Sequence, residues 1–209
     1  MATLSLQTEA CVLAKRQPTE SHLPYTLFSP EHGTLATWLR SGKSGSPSLV
    51  ALDLFDDIDV MLTSSNQGQT WFVKEARVLV RRVAIGRGYD SLKYASAFTA
   101  IVARNQVPLE GRAATAALLR QALNAFADDS KAPEIVYLKA LYTFARDEGY
   151  PVKQEWMEQL QPALKEASQL LILRPLAAIQ HDPPARVSAS KLIRRLEDYL
   201  RTCTEILMD

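Results

Sequence analysis

Residues Thr8–Arg40 read TEACVLAKRQPTESHLPYTLFSPEHGTLATWLR. Ala10, Val12 and Leu13 form an apolar, partly alternating run that ends in a polar turn at Gln17-Pro18-Thr19. A second run, Leu23 to Phe28, leads into Ser29-Pro30-Glu31-His32-Gly33, which reverses the chain into a third run, Leu35 to Leu39. Short β-rich runs between Pro and Gly turns predict a small closed barrel, because closure removes the exposed edges of a sheet.

The same texture continues to about Val83. Strands are expected at Leu6 to Lys15, Leu23 to Ser29, Thr34 to Arg40, Leu49 to Phe55, Ile58 to Ser64 and Thr70 to Val83. Between them, Ser41-Gly42-Lys43-Ser44-Gly45-Ser46-Pro47 reads as a flexible loop, Asp56-Asp57 as a tight corner and Asn66-Gln67-Gly68-Gln69 as a hairpin tip. Strands of this number with loops of unequal length suit an OB-type barrel.

Beyond Gly86-Arg87-Gly88 the apolar residues recur three or four apart, the spacing of helices with one buried face. The stripes are Tyr94, Phe98, Ile101 and Val102; Leu118 to Phe126; Ile135 to Ala145; and Trp156, Leu160, Leu164 and Leu171. Gly149 is expected as a left-handed cap and Pro151 as a stop. A last helix, capped by Ser188 or Ser190, would bury Leu192, Leu196, Tyr199, Cys203 and Leu207. The expected architecture is α+β: an OB-fold barrel over 1–84 followed by an all-helical domain over 85–209.

The chain of 209 residues is 47% hydrophobic, enough for a real core. No apolar stretch is long enough to cross a bilayer and no secretory leader precedes the first strand, so a soluble cytoplasmic protein is expected. The net charge is only +1, so attraction for nucleic acid must come from local clustering. Cys11 and Cys203 lack the close spacing of a thiolate metal site and read as buried free thiols.

Three basic groups are candidates. Lys15, Arg16, Arg40 and Lys43, with Trp38 between them in sequence, could line a groove that binds phosphates and stacks bases; otherwise the cations are solubilising and Trp38 is core. Lys74, Arg77, Arg81, Arg82, Arg87 and Lys93 could extend that path. In a strand Arg77 and Arg81 would share a face while Arg82 points away. Their alternative is salt bridging at the domain interface with the acidic corner Asp53, Asp56, Asp57 and Asp59. Arg186, Lys191, Arg194, Arg195 and Arg201 form either a cationic ridge or the solvated face of the last helix. His22, His32 and His181 show no metal-ligand spacing, and Ser41-Gly42-Lys43-Ser44 lacks the first glycine of a phosphate loop. Nothing in the sequence argues for catalysis, and no cofactor is expected.

The order of residues in the opening block resembles the start of the bacterial DNA repair family RecO, the recombination mediators. The likeness extends through Arg40, Lys43 and the run LFDDIDVML to Trp71–Ala76, Tyr94–Phe98 and Phe144–Pro151. The four-cysteine zinc finger that many members carry after the position of Tyr150-Pro151 is missing, and the loop after the third strand holds fewer cations than relatives have. The resemblance implies non-specific binding of single- and double-stranded DNA, strand annealing and assistance to recombinase loading. It also implies RecR as a partner, and the acidic, apolar tail of single-stranded-DNA-binding protein at Lys191, Arg194 and Arg201. The other reading of the same barrel is a protein-interaction adaptor without DNA binding, which the near-neutral charge favours.

Overall fold

A computed structural model describes residues 4–40, 51–179 and 183–208. It is α+β: five strands, then six α-helices joined by short 3₁₀ turns. Two compact units emerge, Met1–Arg82 with Gln106–Ala116, and Val83–Asn105 with Ala117–Asp209. The first unit thus combines the strands with a short piece of the helical half.

In the first unit the strands are β1 (Leu4–Lys15), β2 (His22–Ser29), β3 (Gly33–Arg40), β4 (Asp57–Ser64) and β5 (Trp71–Val80). Their order is β1-β2-β3-β5-β4, and β1 pairs with β4 as well as β2, so the sheet closes on itself. All the neighbouring pairs are antiparallel except β3 with β5, which run parallel. β3 shows the cause of the curvature most plainly: Leu35, Thr37 and Leu39 are buried while Thr34, Ala36 and Arg40 are exposed, the period of two that puts one face on a core. The inward set includes Val12, Leu27, Leu39, Leu52, Ile58, Val60 and Leu62.

Gly33 opens β3 with φ +70°, a region that costs little only without a Cβ. Arg112 lies beside it, donating from Nη1 to the Glu31 carbonyl at 3.0 Å and from Nε to the Val107 carbonyl at 3.4 Å.

The expected strand from Leu49 to Phe55 is absent over its described residues. Phe55 takes φ 69°, and the Asp56 amide bonds the Asp53 carbonyl at 3.3 Å. A left-handed turn of this kind cannot continue a strand. Leu52 still enters the core, and its carbonyl accepts from the Tyr25 hydroxyl at 3.1 Å.

The helices are α1 (Tyr89–Arg104), α2 (Arg112–Phe126), α3 (Pro133–Asp147), α4 (Val152–Glu155), α5 (Pro162–Leu173) and α6 (Pro183–Cys203). In the second unit α3 packs against α1, α5 and α6, and Ile135, Leu138, Leu141 and Ala145 are completely buried. α3 ends at Gly149, φ +90°, with the Tyr150 amide bonded to the Ala145 carbonyl at 3.1 Å, a left-handed helix stop.

Two helical expectations are corrected. The stripe from Trp156 to Leu171 is not one helix: Pro162, which lacks an amide proton and holds Gln161 extended (ψ 149°), separates α4 from α5. The last helix starts at Pro183, ahead of both serines, because proline is favoured at a first helical position. It ends at Cys203, so Cys203 is exposed rather than buried, and Leu207, 57% exposed, lies past the helix.

Candidate nucleic-acid interface

The arginine strip is the first test of a cationic path. β5 stops at Val80, so Arg81 and Arg82 lie beyond the strand and do not follow its alternation. Both turn to the acidic segment between Ala51 and Asp57. Arg81 grips Asp56 with Nε at 3.3 Å and Nη2 at 3.0 Å, and Nη2 also reaches the Ala51 carbonyl at 2.7 Å. The hydrogen bond to Asp56, then its charge, raises the Arg81 pKa. Arg82 donates to Asp57 Oδ2 and to the Phe55 carbonyl, each at 2.6 Å, with 2% of its side chain exposed. Arg77 faces its register partner Asp59 at 3.5 Å and is 75% exposed.

Arg77, Arg81 and Arg82 thus pair with the acidic corner weighed from sequence, but inside the first unit and not at a domain interface. Arg82 is corrected outright: a guanidinium sealed from water cannot meet a phosphate backbone. Arg87 is exposed at the end of a 3₁₀ turn and belongs to the second unit.

A different cluster stands on the outer face of the barrel. Trp38 points outward from β3, half-buried, and is not core. Its register partners are Pro24 on β2 and Phe72 on β5. His22, two residues before Pro24, leans into the same patch. Its ring lies 6.2 Å from Trp38 at an interplanar angle of 88°, and 5.7 Å from Phe72 at 62°. Edge-on contacts of this kind are the favoured geometry for aromatic pairs. Phe72 is 39% exposed.

The turn before β2 fixes His22 in place. Thr19 accepts from the His22 amide at 3.2 Å and donates from its amide and hydroxyl to the His22 carbonyl at 2.8 and 3.1 Å. The Ser21 hydroxyl and His22 Nδ1 share a hydrogen bond of 2.8 Å.

Cations border the rings. Arg40 is exposed, two residues beyond Trp38 on the same face and opposite His22 in register. Lys74 is exposed, two residues beyond Phe72, at a shift in the β4–β5 register. Lys15 and Arg16 are exposed at the end of β1; Lys15 is the register partner of core-facing Tyr25, away from the ring face, while the Arg16 amide bonds the Pro24 carbonyl at 3.0 Å. Lys43 and the Gly-Ser loop around it lie outside the described residues. Sequence reasoning omitted His22 and Phe72. For His22 the missing step was to carry the turn at Ser29–Gly33 back along the hairpin, which sets Pro24 opposite Trp38 and His22 opposite Arg40; Phe72 arrives through the parallel β3–β5 pairing, which has no such signal.

On α6 the expected ridge is solvent-facing: Lys191, Arg194 and Arg201 are all exposed. Arg201 pairs with Asp198 at 3.3 Å, and Arg186 is bonded to Glu134, which is 6% exposed. That bond, then the Glu134 charge, raises the Arg186 pKa. Elsewhere in this unit, burial raises the Tyr137 phenol, whose hydroxyl donates to Glu197 at 2.9 Å. Burial and the hydrogen bond to Glu155 push Tyr199 up to about 12. Lys139, its pKa lowered by burial, donates to the Ile172 and Arg174 carbonyls at 2.8 Å and so closes the end of α5.

Among the described residues no group of three or more His, Cys, Asp or Glu could hold a metal ion. None of their helices is long and apolar enough to cross a membrane. No protein-family model matches the chain, and no curated protein matches it significantly.

Proposed function

We propose that the barrel is of the OB type and that the protein is a RecO-like recombination mediator, binding DNA through the outer face of β2, β3 and β5. The observation that carries this is the outward cluster of Trp38, Phe72 and His22 bordered by Arg40 and Lys74. Single strands are held by flat side chains on which bases stack and by cations that release counterions from the phosphates. Both kinds of group share one surface here, and the strand order with a parallel β3–β5 closure fits an OB barrel, whose strand 2–3 face binds oligonucleotides. The role is stoichiometric: strands are held for annealing and recombinase loading without bond chemistry. RecR and the acidic tail of single-stranded-DNA-binding protein are the proposed partners, the latter at Lys191, Arg194 and Arg201.

The test is anisotropy of a labelled, unstructured oligonucleotide at low and moderate salt. The Arg40→Ala/Lys74→Ala variant should weaken binding and flatten the slope of log affinity on log salt by about 0.7 per lost phosphate contact. Unchanged affinity and slope would remove this surface from the proposal.

The adaptor reading has one observation in its favour. Pairing of Arg77, Arg81 and Arg82 with aspartates leaves the exposed cations of the barrel sparse. An adaptor gives no saturable shift with the oligonucleotide at low salt.

A further inference from the structure

We infer that the ring cluster is a socket for one unpaired base, with Trp38 as the stacking surface and His22 as the residue that positions it. The inference rests on the nucleic-acid reading above and narrows it from DNA in general to a single exposed nucleotide.

The rings meet edge to face, at centroid distances of 6.2 and 5.7 Å. A base slotted between two rings would need them parallel and about 7 Å apart, twice the 3.4 Å rise of stacked bases. Neither pair that His22 makes is such a slot, so the base is placed on the outward surface of the cluster.

The surface also ends quickly. The next outward positions along β3 are Ala36 and Thr34 on one side of Trp38 and Arg40 on the other. On β2 the outward neighbours of His22 are Pro24 and Thr26. A protein that tracks a strand presents aromatic groups to successive bases; on these strands the aromatic surface is a single island with Arg40 and Lys74 beside it. One base stacks while the flanking phosphates meet the cations. Duplex DNA, whose bases are already covered by their neighbours, meets only the cations.

His22 makes this surface rigid before anything binds. Its backbone is tied to Thr19 and its Nδ1 to Ser21, so the imidazole is fixed against both larger rings. A pre-ordered platform loses less conformational freedom on binding.

The experiment compares three 12-mers of equal charge on the unaltered protein: all-thymidine, fully abasic, and abasic with one central thymidine. The single thymidine should tighten binding about tenfold over the abasic chain, the equivalent of one stacked base. The remaining eleven should add no more than the statistical factor for the extra registers, about tenfold in all. Trp38→Ala should erase the thymidine advantage, so that it binds thymidine and abasic chains alike. Trp38→Phe should keep most of it, and His22→Ala should reduce it without altering the salt slope. All-thymidine affinity about a hundredfold or more above the single-thymidine chain, beyond any count of registers, would overturn the socket in favour of a track. Equal binding of abasic and thymidine chains would overturn any role for the rings while leaving DNA binding intact. If none of the three probes binds, the nucleic-acid reading itself fails and the socket falls with it.

Discussion

Arg82 and Asp57 meet at 2.6 Å with 2% and 7% of their side chains exposed, joining the second residue beyond the end of β5 to the first residue of β4. The second arm of Arg82 holds the carbonyl of left-handed Phe55. A buried charge stripped of its partner is far more costly than the intact pair is favourable. Asp57→Ala should therefore cost about 3–5 kcal/mol in chemical denaturation. Arg82→Met/Asp57→Leu should recover most of the loss, because neither charge is then left alone. A double variant as unstable as the single one would mean that the Phe55 contact dominates.

Arg77 and Asp59 give the opposite case. The pair is 3.5 Å long and solvent-exposed on the arginine side, so it contributes little to stability. Asp59→Asn should change stability by less than about 0.5 kcal/mol. On the proposed function it should tighten oligonucleotide binding about two- to threefold at low salt, since an opposed arginine becomes available, and the gain should vanish as salt screens it. Titration of both proteins across salt concentrations checks this.

At Gly33 a Cβ would come within 3.0 Å of Arg112 Nε, on a backbone already at φ +70°. Gly33→Ala should destabilise by about 2 kcal/mol, from the left-handed strain and the displaced guanidinium together. Combining it with Arg112→Ala should cost less than the sum of the single changes, because the two share one contact. Thermal denaturation of the four proteins of the cycle reads the coupling directly.

Glu148, next to Asp147 at the end of α3, has its pKa raised by burial and then by the Asp147 charge. A carboxyl with a raised folded-state pKa favours folding below its unfolded value of about 4.5 and loses that contribution as pH rises through the folded value. Glu148→Gln should thus gain a few tenths of a kcal/mol at pH 7 and nothing at pH 4. Removing a negative charge from a helix C-terminus acts in the same direction. Melting curves at the two pH values test the sign.

Much of the barrel was readable because β2 and β3 share a short turn and β3 alternates strictly. Leu35, Thr37 and Leu39 inside force Trp38 and Arg40 to the same outer face, and the turn sets their partners on β2. The other half of the site was not readable. Phe72 reaches Trp38 through a parallel pairing between strands with β4 between them in sequence, and no local pattern announces that register. The fate of Arg81 and Arg82 was hidden by the end of β5 at Val80 and by two register shifts between β4 and β5, which cancel a count made by alternation. In the helical half, stripes located the helices, but only Pro162 and Pro183 decided where the later ones break and begin.

The double pairing of β1 has a consequence for the order of assembly. Its first half waits for β4, with Leu4 opposite Ser64, while its second half joins β2, with Lys15 opposite Tyr25. Chain closure over the longer interval is the slower event. During synthesis the hairpin of β2 and β3 can therefore form early, whereas the first half of β1 must stay unpaired until β4 has followed it out of the ribosome.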